Sequence, residues 1–542
     1  MEKLFIFGIG GTGARVLRSF TMLLASGQEY LNKYDVYPII LDYDQDNGDT
    51  RIAVKCIDKY NAIHNIAWRD SRVNRDKENG FFKSNLCHLK DEDDNADGSS
   101  FQMLYAPKGK NVFGKYIGYT TLGKDDENNV DTSNTSLLLQ SLYNTDPVSD
   151  DAELNLKMDV GFKGNPNIGS VVFHNIEGEC SEFKSFLENL NDNDRVIVVG
   201  SLFGGTGSSG VPEIIRKIRA SNRGKRVKVG AVLVMPYFAP ESKTNGTIRS
   251  DIFNSKTKAA INYYQDSKLI KFDSEGKFVS GGDINTAYFI GDPKPTILPY
   301  CDGGVHQVNP ANMVELISAL AIIHFAGNND GCYKYGVNQF LIGEGVSVNK
   351  LFCEDLSDDW TQSVLKQLTS FTIAMKYVMF RLMKPDSKLK NTSYYSRFTL
   401  DKPNNEMREM LSDMKDFWVK YKSWIDEMAN KGKDAGKGNS HALNMFSTGD
   451  DLEILLADSS KTESDNERSS WGFSIGGGKK KKHNKSVDGQ KIDAKINKVV
   501  SDYKPNGFTG ELVADEELLL MQGLFGASTN PDIIDKVFVK EV

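Results

Sequence analysis

The run VIVVGSLFGGTGSSGVPEIIRKIRA, residues 196–220, restricts the fold more than any other stretch of the chain. Val196 to Val199 are consecutive β-formers and read as a short strand buried on both faces. Gly200, Gly204, Gly205, Gly207 and Gly210 follow, interleaved with Thr206, Ser208 and Ser209, and the chain then takes on helical spacing. The first 27 residues repeat the arrangement: KLFIF, then GIGGTG from Gly8 to Gly13, then ARVLRSFTMLLASG with apolar positions at helical intervals. A further strand pattern, VYPIILDYD, comes next. Strand, glycine turn, helix, strand is the opening of an α/β domain built on a parallel sheet.

The 542-residue chain is too long for one ordinary core and reads as several units. From about residue 50 to 160 the periodicity weakens, and the acidic, polar runs at 90–100 and 123–136 suggest solvated loops of an insertion. Order returns with strands at 227–238 and 286–293, which would complete a nucleotide-binding unit over 1–308. Residues 309–327 are apolar nearly all round, as a helix buried between units would be. Residues 328–460 would form a C-terminal domain, and within it 363–383 and 405–429 carry long helical patterns. A basic, glycine-rich segment with KKKK spans 461–490, and 491–542 regain apolar content, as if packing back on a domain. Met407, Met410, Met414, Trp418, Tyr421 and Trp424 form a stripe at helical spacing that reads as core or interface.

Composition excludes several classes. No apolar run approaches the length needed to span a bilayer, and the N-terminus has no secretory pattern. The six cysteines contain no CxxC pair, which fits a reduced cytoplasmic interior and gives no metal site. A formal charge of −7 argues against nucleic acid as a partner.

Glycines at a strand-to-helix turn let a ligand approach the backbone, and the unpaired N–H groups of the helix receive an anion. The first loop alone satisfies GxGxxG, with Asp42 or Asp44 at the end of the second strand, so a dinucleotide-dependent oxidoreductase using NAD or FAD is one reading. That reading leaves the second loop without a role, and no lysine follows the glycines as a Walker loop would require. Two glycine loops on one sheet edge suggest a ligand with several phosphates.

GSLFGGTGSSG resembles the signature loop of the tubulin/FtsZ family, with Phe203 where many members carry glycine. FIFGIGGTGARVL is similar to the family's first phosphate loop, IILDYD to its following strand, GNPNIG at 164–169 to its γ-phosphate loop, and VGAVLVMPYF to the strand ending in Pro-Phe. The resemblance covers roughly 1–45 and 160–330. It implies a Rossmann-like GTPase domain with a parallel sheet, a central helix and a divergent second α+β domain.

Carried across, it places Gly10, Gly11, Thr12 and Gly13 on one side of the α- and β-phosphates and Gly204, Gly205, Thr206, Gly207 and Ser208 on the other. Gly164 and Asn165 fall by the γ-phosphate, Asp44 at the end of the second strand, Glu241 near the ribose, and Asn312 at the guanine edge. Arg15 stands where FtsZ has an asparagine. The catalytic carboxylate has no clear counterpart; Glu315, Asp330 and Asp355 are its weak candidates. The implied ligands are GTP or GDP with Mg2+, and the implied partner is the chain itself, in head-to-tail filaments whose assembly slow GTP hydrolysis controls. Other proteins could meet the insertion or the C-terminal segment. The alternative is a GTP-binding regulatory or structural subunit that does not polymerise.

Overall fold

The structure is a computed structural model that describes residues 2–69, 78–90, 100–105, 112–119, 133–143, 153–159, 161–241, 250–275, 279, 282–301, 303–327, 351–352, 359–430, 442–444, 456–457, 487–502 and 515–535. Both glycine segments fold as their patterns require. Strand β1 (Glu2–Ile9) enters helix α1 (Gly10–Ala25) with no intervening residue. Strand β2 (Tyr34–Asp42) leads to α2 (Gly48–Ala67) and then to the short β3 (Gln102–Leu104). After α3 (Pro166–His174) and α4 (Ser181–Glu188) comes β4 (Arg195–Ser201), whose seven residues are all buried. Helix α5 (Gly205–Ala220), β5 (Lys228–Val234), β6 (Phe238–Pro240), α6 (Phe253–Asp266), β7 (Thr286–Ile290) and β8 (Thr296–Leu298) follow.

Six strands form one sheet in the order β3-β2-β1-β4-β5-β7, and every pairing is parallel. This is a Rossmann-like α/β arrangement. Chain order runs outward in both directions from the β1/β4 pair, so the crossovers on its two sides lie on opposite faces of the sheet and open a crevice between those strands. Gly8 in β1 sits opposite Val199 in β4, and each strand ends one or two residues later at its glycine loop. The crevice therefore lies between the two loops. One apolar cluster on one sheet face includes residues of α1, α2 and α7 (Met313–Gly327); another on the opposite face includes residues of α3, α4 and α5.

Three expectations change. Residues 50–67 were expected to begin an insertion; they form most of α2, and β3 joins the main sheet beside β2. The acidic runs at 90–100 and 123–136 lie mostly outside the described residues. The buried helix expected at 309–327 begins at Met313, because Pro310 and Asn312 occupy its approach. The second α+β domain does not emerge as a separate sheet among the described residues. The described C-terminal part is mainly helical, comprising α8 (Asp359–Tyr377), α9 (Asn405–Met428), α10 (Gly489–Asp502) and α11 (Glu516–Ser528), with only two-residue strand pairs.

These helices share the apolar cluster that holds α1, α2 and α7. The Met-aromatic stripe of α9 is buried along its length, and Trp424 Nε1 donates to Ser19 Oγ of α1 at 2.9 Å. Burial of each such side chain is worth about 1.5–3 kcal/mol. Among the described residues no helix is long and apolar enough to cross a membrane. The KKKK run lies outside them.

Candidate functional site

Helices α1 and α5 both start at the crevice, and neither has a side-chain cap: their N-cap residues are Ile9 and Gly204. A helix start leaves backbone N–H groups without intrahelical partners, so both first turns present donors and a partial positive charge to the same space. Gly10 adopts φ +69°, a conformation that favours glycine, and this turns β1 directly into α1. A Cβ there would lie 3.2 Å from Thr206 Cβ, so the two loops abut. Gly13 and Gly207 serve a different purpose. A Cβ at Gly13 would lie 2.4 Å from the Gly8 carbonyl carbon, and one at Gly207 would lie 2.6 Å from Ser201 N. These glycines let each helix press onto its strand.

The resulting cleft is lined by Gly10, Gly11, Thr12, Arg15, Asp44, Gly164, Gly204, Gly205, Thr206 and Gly207 of the expected set. The loop at Gly164 closes on the second glycine loop, for a Cβ on Gly205 would meet Gly164 N at 2.9 Å. Lys256 Nζ of α6 holds that loop through the Gly164 carbonyl at 2.6 Å. Gly13, Asn165, Ser208, Glu241 and Asn312 are not among the lining residues. Asn165 precedes α3 without capping it by its side chain. The Ser208 hydroxyl turns back to donate to the Gly204 carbonyl. Glu241 is exposed, and its backbone N–H donates to Leu298 O at 2.8 Å. Asn312 caps α7, accepting from Val314 N at 2.9 Å, and faces a small cavity behind the cleft.

Arg15 is the centre of that rear wall. Its Nε donates to Glu315 at 2.7 Å, one terminal nitrogen to Asp49 at 2.6 Å, and the other to Tyr237 Oη at 2.6 Å. Tyr237 in turn donates to Glu315 at 2.7 Å. All four residues are buried. Burial pushes the Asp49 and Glu315 carboxyls upward, opposed in each case by the charge of Arg15. Glu315, a weak catalytic candidate, is thus an ion-pair partner rather than a carboxylate open to water. Asp330 and Asp355 lie outside the described residues.

On the β2 side, Asp44 accepts from Gly304 N at 2.7 Å through one oxygen, while its other oxygen is buried with no hydrogen-bond partner among the described residues. Burial raises its pKa. Asp42 beside it is pushed up to about 8, first by burial and then by the charge of Asp44. The orphaned oxygen fits a cation that arrives with a phosphate ligand. Among the described residues no group of three or more His, Cys, Asp or Glu side chains is placed to hold a metal.

Lys163, Asn47 and Gln307 also line the cleft, and no motif in the sequence singled them out. Lys163 adds a cation next to Gly164, and Asn47 and Gln307 join across the cleft mouth at 3.2 Å. Asn309 binds Asp49 through both its backbone and its side chain. Phe203, Phe238, Pro240, Phe253, Leu298 and Pro299 give the cleft an apolar portion.

No family model and no curated protein matches the sequence. Among solved structures the chain is similar to CetZ from Methanosaeta thermophila strain DSM 6194, at 12% sequence identity and a TM-score of 0.25. The match covers 60% of this chain and 52% of that one, so it spans about half the length of the known structure.

Proposed function

We propose that the cleft binds a guanine nucleoside triphosphate, with Mg2+, and that its γ-phosphate controls head-to-tail self-association of the chain in the cytoplasm. The observation that carries the nucleotide reading is the meeting of two uncapped helix starts at the reversal point of the sheet. Donors from two helices aimed at one space suit a chain of phosphates rather than a single anion. Lys163 and Gly164 line the same cleft, which supports assigning the terminal phosphate to their loop. The preference for guanine rests on the motif resemblance.

Assembly follows from the same resemblance: a heterologous contact of this type makes open filaments unless its rotation closes. A second reading is favoured by Glu315, whose carboxylate is committed to Arg15 and Tyr237. In it the nucleotide is held and hardly turned over, and the chain is a regulatory subunit of a larger assembly. Release of the nucleotide from purified protein, followed by chromatography, tests the binding reading. GTP or GDP supports it; NAD or a flavin overturns it in favour of an oxidoreductase.

A further inference from the structure

Between β8 and α7 the chain forms a strap, residues 303–309, that fastens to the β2 side of the cleft mouth. Gly304 N donates to Asp44 Oδ2 at 2.7 Å, Asp49 N to the Gln307 carbonyl at 2.9 Å, and Asn309 N to Asp49 Oδ1 at 2.9 Å. Asn47 Nδ2 donates to Gln307 Oε1 at 3.2 Å. Only a glycine at 48 allows so close a contact, because a Cβ there would lie 2.7 Å from the carbonyl oxygens of Val305 and Gln307. The Asn47–Gln307 pair stands against the first glycine loop. A Cβ on Gly11 would lie 3.6 Å from the side-chain nitrogen of each. No residue of the strap is buried, and Val305 and Val308 are 46% and 56% exposed.

We infer that this strap gates the cleft, with Gln307 as its latch, and that a nucleoside triphosphate enters when the latch opens. The inference rests on the nucleotide reading above and adds the regulation of that site. With the strap fastened the cleft has a volume of about 150 Å3, whereas pockets for ligands of drug size run to about 300–1,000 Å3. The latch also stands at the first turn of α1, one of the two helix starts assigned to the phosphates. Opening costs little. The strap is held by hydrogen bonds that water can replace, and its release uncovers no buried apolar side chain of its own. Gly303 and Gly304 lie at φ +121° and +71° and supply a hinge, since glycine changes backbone conformation there without a Cβ clash. When the state that can bind is a minor population, apparent affinity falls by that fraction. Weakening the latch therefore tightens binding, whereas removing a side chain that grips the ligand loosens it.

Stopped-flow fluorescence with methylanthraniloyl-labelled GTP tests this on the full chain. Gln307→Ala should raise the association rate constant and the affinity together, by about two- to tenfold, the effect of losing one neutral hydrogen bond. Its dissociation rate should stay within about twofold of wild type. In wild type, GTP should speed hydrogen exchange at the Gly304, Asp49 and Asn309 amides, which the fastened strap protects. If Gln307→Ala does not fold, the exchange experiment on wild type decides alone. GTP binding that is unchanged or weaker in Gln307→Ala, or stronger protection of those amides with GTP, overturns the gate and leaves the nucleotide reading standing. Failure of both proteins to bind GTP overturns the nucleotide reading and the gate with it.

Discussion

Replacing Arg15 by methionine removes the one cation held between two buried carboxylates and leaves a side chain of similar length. Asp49 and Glu315 lie 2.6 and 2.7 Å from the guanidinium, and their side chains are 2% and 1% exposed. Breaking one buried pair by deleting a partner costs about 3–5 kcal/mol, because the remaining charge is neither hydrated nor compensated. Two stranded carboxylates do not double that figure, since each can escape by taking up a proton. A loss of about 4–8 kcal/mol at neutral pH is therefore expected, a large share of the roughly 5–15 kcal/mol that holds an ordinary domain together. The sign with pH follows. Without Arg15 both folded-state pKa values rise further above their unfolded values, so the folded variant binds extra protons. Its stability is fully present below the unfolded carboxyl range and falls as pH rises through the raised values. Urea denaturation of Arg15→Met at pH 5 and pH 7.5 should show a much smaller deficit at pH 5. Adding Glu315→Gln should recover part of the loss at pH 7.5. Equal deficits at the two pH values, or a variant as stable as wild type at pH 7.5, would refute the argument.

Three further outcomes are expected. Gly11→Ala should fold normally, because the nearest atoms to a Cβ there are 3.6 Å away, yet lose most bound nucleotide; Gly13→Ala should be recovered mainly as insoluble protein, its methyl having no room against Gly8. Asp42 holds its proton in the folded chain up to about pH 8 and ionises near pH 4 once unfolded. Its contribution is complete below about pH 4 and lost as pH rises through about 8, on the order of 5 kcal/mol in all, so Asp42→Asn should be more stable than wild type at pH 9 in denaturant titrations. Light scattering and electron microscopy should show filaments with GTP and none with GDP; a closed oligomer with intact GTP would replace the filament reading with the regulatory-subunit one.

What could be read directly were features whose cause is local. Val196 to Val199 and the residues before Gly8 are runs that only a buried strand accommodates, and the glycines after them allow helix starts close to the strand. The Met-aromatic stripe of α9 announced a buried helix face by its spacing alone. The stretch after residue 50 was misjudged because the stripe that α2 buries at helical spacing, Ala53, Cys56, Ile57, Tyr60, Ile63, His64 and Ala67, is made largely of small or polar-tipped residues and gives a weak apolar signal. A weak stripe is overridden only by the packing partner, here α1 and α9, which local sequence cannot supply.

The sequence by itself determined two strand–glycine–helix units and hence two helix starts with unpaired N–H groups, since steric fit and those donors belong to consecutive residues. Only the tertiary structure decided that β1 and β4 are neighbours, which brings those starts to a single cleft. It alone joined Arg15 to Asp49, Tyr237 and Glu315, which lie 34, 222 and 300 positions away, and set Phe238 against that guanidinium. Whether a charge or a ring is core or site depends on the water and partners around it, and those are fixed by which distant segments fold onto it rather than by its neighbours along the chain.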